Sequence, residues 1–312
     1  MRVAIVDLGT NTCRLFLAEV GDAAVTARHE RRTAVVRLGQ GVDRSGRLDP
    51  AAVARARAQL AEYAPLLEAY GPERRLLIAT SVLREAADGR PFLEAARRDF
   101  RLPWRVLGGE EEGALAFRGG TAELAGEPGP LLLVDIGGGS TEFAVGEPGR
   151  RPDFVCSLDI GVVRLTERYF RGDPPSAAEI ERLAGHAAVA ISGGIPATVR
   201  GAVRGAVGVA GTYATLAANA LGLREFRAEL VHGHELSLAD IEAAIARFAP
   251  LTDAERGRLP GIQPGREDVI LAGALIAREA LRAFGLAAVR CSEADILEGA
   301  ALALAEGSLA PA

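Results

Sequence analysis

Two aspartates stand at matching points in the two halves of the chain. Val3-Ala4-Ile5-Val6-Asp7-Leu8-Gly9-Thr10-Asn11-Thr12 is echoed by Leu131-Leu132-Leu133-Val134-Asp135-Ile136-Gly137-Gly138-Gly139-Ser140-Thr141. In each copy a short apolar run ends at an Asp, and one apolar residue later comes a turn of glycine and small polar residues. Glycines let a backbone approach a ligand closely and aim several N–H groups at one anion. Thr10, Asn11, Thr12, Ser140 and Thr141 add side-chain donors suited to phosphate oxygens. A carboxylate beside such a turn repels phosphate unless a divalent cation lies between them, which makes Asp7, Asp135 and nearby Glu142 candidate metal ligands. One copy alone reads equally well as an ordinary hairpin with an Asp cap; two copies favour paired phosphate clamps.

The remaining candidates are more scattered. Arg14, Arg84, Arg164 and Arg266 could neutralise an anionic substrate, although any single arginine also reads as solvated surface charge. Glu110-Glu111-Glu112 opens a helical stretch. Carboxylates suit a helix N-terminus, which is the reading the residues alone favour, and the alternative is that one of them serves as a general base. Gly211-Thr212 follows an apolar strand and precedes a helix, so it could offer N–H groups and a hydroxyl to a ligand or simply cap the helix. His232-Gly233-His234 is the only close histidine pair, on a surface strand or loop, and is not assigned to metal. Cys13, Cys156 and Cys291 have no metal spacing, and their odd number argues against a disulfide framework and for a reducing, cytoplasmic setting.

The elements that must position these groups follow from pattern. Each glycine turn lies between two apolar, β-branched runs, giving strand–turn–strand. A dinucleotide loop or a P-loop would open a helix instead, and the P-loop also needs a lysine, which this chain lacks. A further strand is expected at Ala34–Gly39. A helix opens at Asp49-Pro50, with Asp49 as N-cap. Strands are expected at Leu76–Ala79, Arg105–Leu107, Asp153–Leu158, Ala206–Ala210 and Val289–Ser292. Helices are expected at Phe92–Phe100, Tyr213–Leu221, Leu238–Phe248, Asp253–Leu259, Val269–Phe284 and Ile296–Ala305. Gly119–Pro130, rich in Gly, Glu and Pro, reads as a linker.

Alternation of strands and helices in both halves makes an α/β chain with a duplicated plan. At 312 residues, 49% hydrophobic and 25% charged, it suits two globular domains. A net charge of −5 gives no sign of nucleic-acid affinity. All 36 basic residues are arginine. The apolar start is cut by Asp7, unlike a signal peptide, and no apolar stretch is long enough for a bilayer, so a soluble protein without membrane partners is expected.

The paired hairpins resemble the two phosphate loops of the actin, Hsp70 and sugar-kinase superfamily. Within it, the wording is similar to the exopolyphosphatase / guanosine pentaphosphate phosphohydrolase family. Leu38-Gly39-Gln40-Gly41, Thr80–Ala86, Gly161–Arg168, Gly211-Thr212, Arg266-Glu267-Asp268 and Gly273 extend the likeness over nearly the whole chain. The resemblance implies two RNase H-like domains with a cleft between them, residues 1–121 with a returning segment 293–312, and residues 122–292. It implies hydrolysis of the terminal phosphoanhydride of inorganic polyphosphate, or of guanosine pentaphosphate, with Mg²⁺ as cofactor and Glu112 as base. A non-hydrolysing sensor and a kinase are the alternatives. Similar proteins also suggest a homodimer. Three positions depart from the family wording: Asp88 where Asn is common, Ser292-Glu293 where Ser-Asp is, and Leu297 where the late Glu-Gly usually has an upstream Arg. The additional C-terminal domains of long family members are not seen.

Overall fold

A computed structural model describes residues 1–312. The chain forms two compact units, Met1–Leu115 with Ile296–Ala312, and Ala116–Asp295.

In the first unit, β1 (Arg2–Leu8), β2 (Thr12–Gly21) and β3 (Ala24–Val35) form an antiparallel meander. A loop with the short helix α1 (Val42–Ser45) leads to α2 (Pro50–Tyr70), then β4 (Arg74–Ala79), α3 (Ser81–Glu85), α4 (Gly89–Phe100), β5 (Trp104–Val106) and α5 (Gly109–Gly120), whose residues from Ala116 on belong to the second unit. The sheet order is β3-β2-β1-β4-β5, with β1, β4 and β5 parallel. Asp49 caps α2 by accepting from the Ala51 and Ala52 N–H groups, and Gly71 ends it in the left-handed conformation. Leu60, Tyr63 and Leu67 face inward at helical spacing, and the Tyr63 hydroxyl donates to Cys13 O at 3.0 Å. Each such buried Leu contributes about 1.5–3 kcal/mol.

The C-terminal helix, Ile296–Glu306, packs on this sheet. A Cβ at Gly299 would collide with Leu115 O, so glycine is what allows the helix to lie against α5. Buried Glu298 accepts from Arg31 Nη1 at 2.8 Å and pins the same helix to β3.

The second unit repeats the plan. After a 3₁₀ turn at Ala122–Leu124 come β6 (Leu131–Ile136), β7 (Thr141–Gly146) and β8 (Phe154–Leu158), antiparallel, followed by α6 (Val162–Tyr169), α7 (Ala177–Gly194) and α8 (Ala197–Arg200). β9 (Gly205–Val209), α9 (Ala210–Ala220), α10 (Ala228–Val231), β10 (Glu235–Ser237), α11 (Leu238–Phe248), α12 (Asp253–Arg256), α13 (Ile270–Phe284) and β11 (Ala288–Cys291) complete it, and Ile296–Glu306 is α14. The order β10-β11-β9-β6-β7-β8 places β8, β7, β6, β9 and β11 where the first unit has β3, β2, β1, β4 and β5. Both sheets are therefore RNase H-like, a three-stranded meander continued by parallel strands. α13, almost wholly buried, is the spine of the second core.

Two expectations from sequence are corrected. The third strand is Ala24–Val35, and Val36–Gly39 leaves the sheet. It was hidden because an edge strand with one solvated face carries charges (Arg28, Glu30, Arg32) rather than an apolar run. Gly119–Pro130 is no linker at its start, since α5 continues to Gly120. A Cβ at Gly120 would lie 2.6 Å from Leu133 Cδ1 and 3.0 Å from Val209 Cγ1, so this glycine serves close packing rather than flexibility.

Candidate active site

In the first unit the loops after β1, β4 and β5 leave the carboxyl ends of three adjacent parallel strands, where open α/β sheets bind ligands. Gly9 N–H donates to Thr12 O at 2.9 Å and closes the first turn. Behind it, Thr10 O accepts from Gly39 N–H at 2.8 Å, and Asn11 O accepts from Val36 and Arg37 N–H, both at 2.9 Å. Carbonyl and N–H of one planar peptide point opposite ways, so these tethers turn the Asn11 and Thr12 N–H groups toward the other side of the loop. Gly39 is required here, because a Cβ would overlap Thr10 Cγ2. Thr10 Oγ1 lies 3.0 Å from Ser81 Oγ at the start of α3. From the same helix Arg84 Nη1 donates to Leu107 O at 2.8 Å, holding the end of β5 that leads into α5.

The second unit builds the same device with different parts. Gly137 N–H donates to Ser140 O at 3.0 Å. The first turn of α6 reaches the loop from behind. Val162 N–H donates to Gly137 O at 2.9 Å, Val163 N–H to Gly138 O at 2.9 Å, and Gly161 N–H to Gly139 O at 3.2 Å. Arg164 Nε also donates to Gly139 O at 2.7 Å. The N–H groups of Gly138, Gly139 and Ser140 consequently point away from α6 as a ready anion nest. A Cβ at Gly161 would strike Gly138 O, so only glycine lets α6 come this close. Thr141 is fully buried and its hydroxyl donates to Ile160 O at 2.8 Å, which anchors the hairpin. Thr212 Oγ1 reaches toward Ile136 O at 3.5 Å. A Cβ at Gly273 of α13 would lie 2.7 Å from Thr212 Cγ2 and 3.2 Å from Val162 Cγ1, so this glycine seats Gly211-Thr212 and α6 side by side. The Arg266 guanidinium covers Gly211, leaving no room for a Cβ there.

The two aspartates differ through their cross-strand partners. Asp7 pairs with Arg14, whose Nη2 lies 2.7 Å and Nε 2.8 Å from Asp7 Oδ2, both side chains being largely buried. At the same register Asp135 pairs with Glu142, 6% and 1% exposed. Like charges directly opposite on a sheet destabilise it, and buried ones need compensation. The Ser157 hydroxyl donates to Glu142 Oε1 at 2.7 Å and fixes the orientation of that carboxylate. Two carboxylates beside an anion nest fit Mg²⁺, which takes one or two carboxylates together with substrate phosphate oxygens. No protein cluster of three or more acidic, His or Cys ligands is present.

The three carboxylates that open α5 are also told apart. Glu110 is exposed, and Glu111 accepts from Arg105 at 2.9 and 3.0 Å. Glu112 is half-buried, with Oε2 enclosed, and its N–H donates to Gly108 O at 2.9 Å. The candidates are divided between the units: Asp7, Gly9–Thr12, Arg14, Arg84 and Glu112 in the first, Asp135, Gly137–Glu142, Arg164, Gly211, Thr212 and Arg266 in the second. Ser81, Ser157 and Gly161 were not singled out from sequence for these roles. Ser81 and Gly161 lie in segments that carry the family likeness, Thr80–Ala86 and Gly161–Arg168, whereas Ser157 had no signal. A cavity of about 380 Å³ in the second unit is lined by Glu123, His232 and Arg290 among others, and by none of these candidates. His232 is held there between Glu123 Oε2 and the Glu293 N–H, both at 3.1 Å.

Known proteins show the same arrangement of chain. Residues 21–306 match the Ppx/GppA phosphatase family. Exopolyphosphatase 2 of Mycobacterium tuberculosis is 39% identical over 318 aligned residues, covering 97% of this chain and 98% of that protein. Among solved structures, an exopolyphosphatase-like protein superposes with a TM-score of 0.92 at 32% identity, over 99% of both chains. A Ppx/GppA protein of Aquifex aeolicus does so with a TM-score of 0.81 at 30% identity, again over 99% of both.

Proposed function

The chain belongs to the Ppx/GppA phosphatase family, and from that premise we propose that it hydrolyses the terminal phosphoanhydride of inorganic polyphosphate, releasing orthophosphate. The observation that carries the reading is the second hairpin, an anion nest with two buried, facing carboxylates at its root. That combination suits a phosphate group brought in with a divalent cation. Asp135 and Glu142 would hold Mg²⁺, whose chemistry there is to screen phosphate charge and stabilise the leaving oxygen. Asp7, already paired with Arg14, orients that arginine instead of supplying a third metal ligand.

The loop N–H groups bind the phosphoryl oxygens. Phosphoryl transfer asks mainly for positioning and charge stabilisation. Arg14 and Arg266 supply cations, while Arg84 and Arg164 hold loop and strand backbone in place. Glu112, the inward carboxylate of its trio, takes a proton from the attacking water at one carboxylate oxygen.

Purified protein with Mg²⁺ should release phosphate from long-chain polyphosphate, and Glu112→Gln should lower turnover by roughly 10²-fold or more, the usual effect of a lost general base. Full activity in that variant would remove Glu112 from the role. Guanosine pentaphosphate in the same assay separates the two substrates associated with the family, and faster turnover of the nucleotide would replace polyphosphate as the substrate.

A further inference from the structure

Arg256, in the four-residue helix α12, heads the fully buried side chains of this protein at 1% exposure. A guanidinium removed from water is costly unless its donors are met. Nε donates to Leu251 O at 3.1 Å and Nη1 to Glu267 O at 2.7 Å. Nη1 also lies 3.0 Å from Asp253 Oδ1, and Nη2 lies 3.5 Å from Asp173 Oδ1. Asp173 in turn accepts from the Asp253 N–H at 2.8 Å.

What this anchor holds is the turn that carries Arg266. Glu267, gripped through its carbonyl, returns its own Oε2 to the Gly265 N–H at 2.6 Å. Arg266 N–H donates to Gln263 O at 3.1 Å and Nε to Gln263 Oε1 at 3.2 Å. The guanidinium is thereby laid over Gly211, the residue before Thr212, whose own hydroxyl reaches toward Ile136 O at the end of β6. Carbonyls at Leu251 and Glu267 could be satisfied by many residues. A buried arginine bonded to both, with two carboxylates locking its orientation, fixes the turn in one register.

We propose that Arg256 is a positioning residue, setting the direction in which Arg266 presents its charge to phosphate. The inference rests on Arg266 being a phosphate contact, as read above. It is tested with pyrophosphate binding by calorimetry in the parent, Arg256→Met, Arg266→Ala and the double variant. Arg256→Met should weaken binding about tenfold, within the coupling range of contacting residues. In the Arg266→Ala background the same change should cost about twofold or less, because the group being aimed is gone.

A full second loss in the double variant would make Arg256 merely structural, and parent-like affinity in Arg256→Met would overturn the inference outright. So would unchanged binding in Arg266→Ala. If Arg256→Met does not fold, Asp173→Asn loosens the same anchor and is judged by the same double-variant comparison. Binding needs no turnover. A protein that binds pyrophosphate through Arg266 yet releases nothing from polyphosphate would sink the proposed reaction and leave this inference standing.

Discussion

Asp7 and Asp135 hold one register position in two hairpins, and their neighbours decide what each carboxylate can do. Opposite Arg14, Asp7 belongs to an ion pair; opposite Glu142, Asp135 faces a second carboxyl group. The Ser157 hydroxyl, 2.7 Å from Glu142 Oε1, keeps that carboxylate in one rotamer. With Mg²⁺ held by Asp135 and Glu142 as proposed, Ser157→Ala should lower apparent Mg²⁺ affinity by about tenfold, the scale of a lost hydrogen bond to a metal-ligating group. A Mg²⁺ titration of melting temperature reads this directly, since an ion that binds the folded state raises Tm by an amount set by its concentration relative to Kd. An identical titration curve would remove Ser157 from the metal's surroundings. Sequence pointed to Asp135 and Glu142 because both flank the glycine turn. It had no means of separating Asp7 from Asp135, since charge pairing across strands depends on register.

Elements hold the loops by their unfavoured side. The strand–glycine–strand hairpins were legible because an apolar run, an Asp and a glycine turn are local features. The segments that brace them, Val36–Gly39 and Gly161–Arg164, were not, because their roles come from tertiary contact. Gly161→Ala should push α6 off the Gly138 carbonyl, costing about 1–3 kcal/mol as overpacking does. It should also reduce kcat/KM, which denaturant melts and kinetics on one preparation would show together. Stability unchanged from the parent would mean the loop yields freely.

The helices of the second unit carry a different dependence. Ser176, Ser237 and Thr252 each form a capping box with an acid three residues on. Hydrogen bonds from these caps hold Glu179, Asp240 and Glu255 below the ordinary carboxylate range. A depressed folded-state pKa stabilises above the unfolded value and is lost as pH falls through the folded one. Tm should thus decline on acidification below the usual carboxylate range, and less steeply in a Ser176→Ala, Ser237→Ala, Thr252→Ala variant. Parallel curves would show the cap hydroxyls do not contribute, since the backbone N–H groups still donate to these carboxylates in the variant.

For the molecule as a whole, two of three thiols are sealed into the sheets. Burial pushes Cys13 far above its usual range, with Asp7 adding to the effect, and pushes Cys291 up to about 12, with Glu293 adding. Only thiolates react, so at pH 8 a native sample should show one thiol, that of half-buried Cys156, toward an aromatic disulfide reagent. Three fast thiols would mean the sheets open on that timescale. The backward tethers of both glycine turns carry a kinetic meaning as well. Because α6 and the Val36–Gly39 segment set those peptides when each unit folds, an incoming anion meets a finished receptor and has no backbone to rearrange. Capture by either turn should run as a one-step encounter, its observed rate rising linearly with anion concentration and never reaching a plateau.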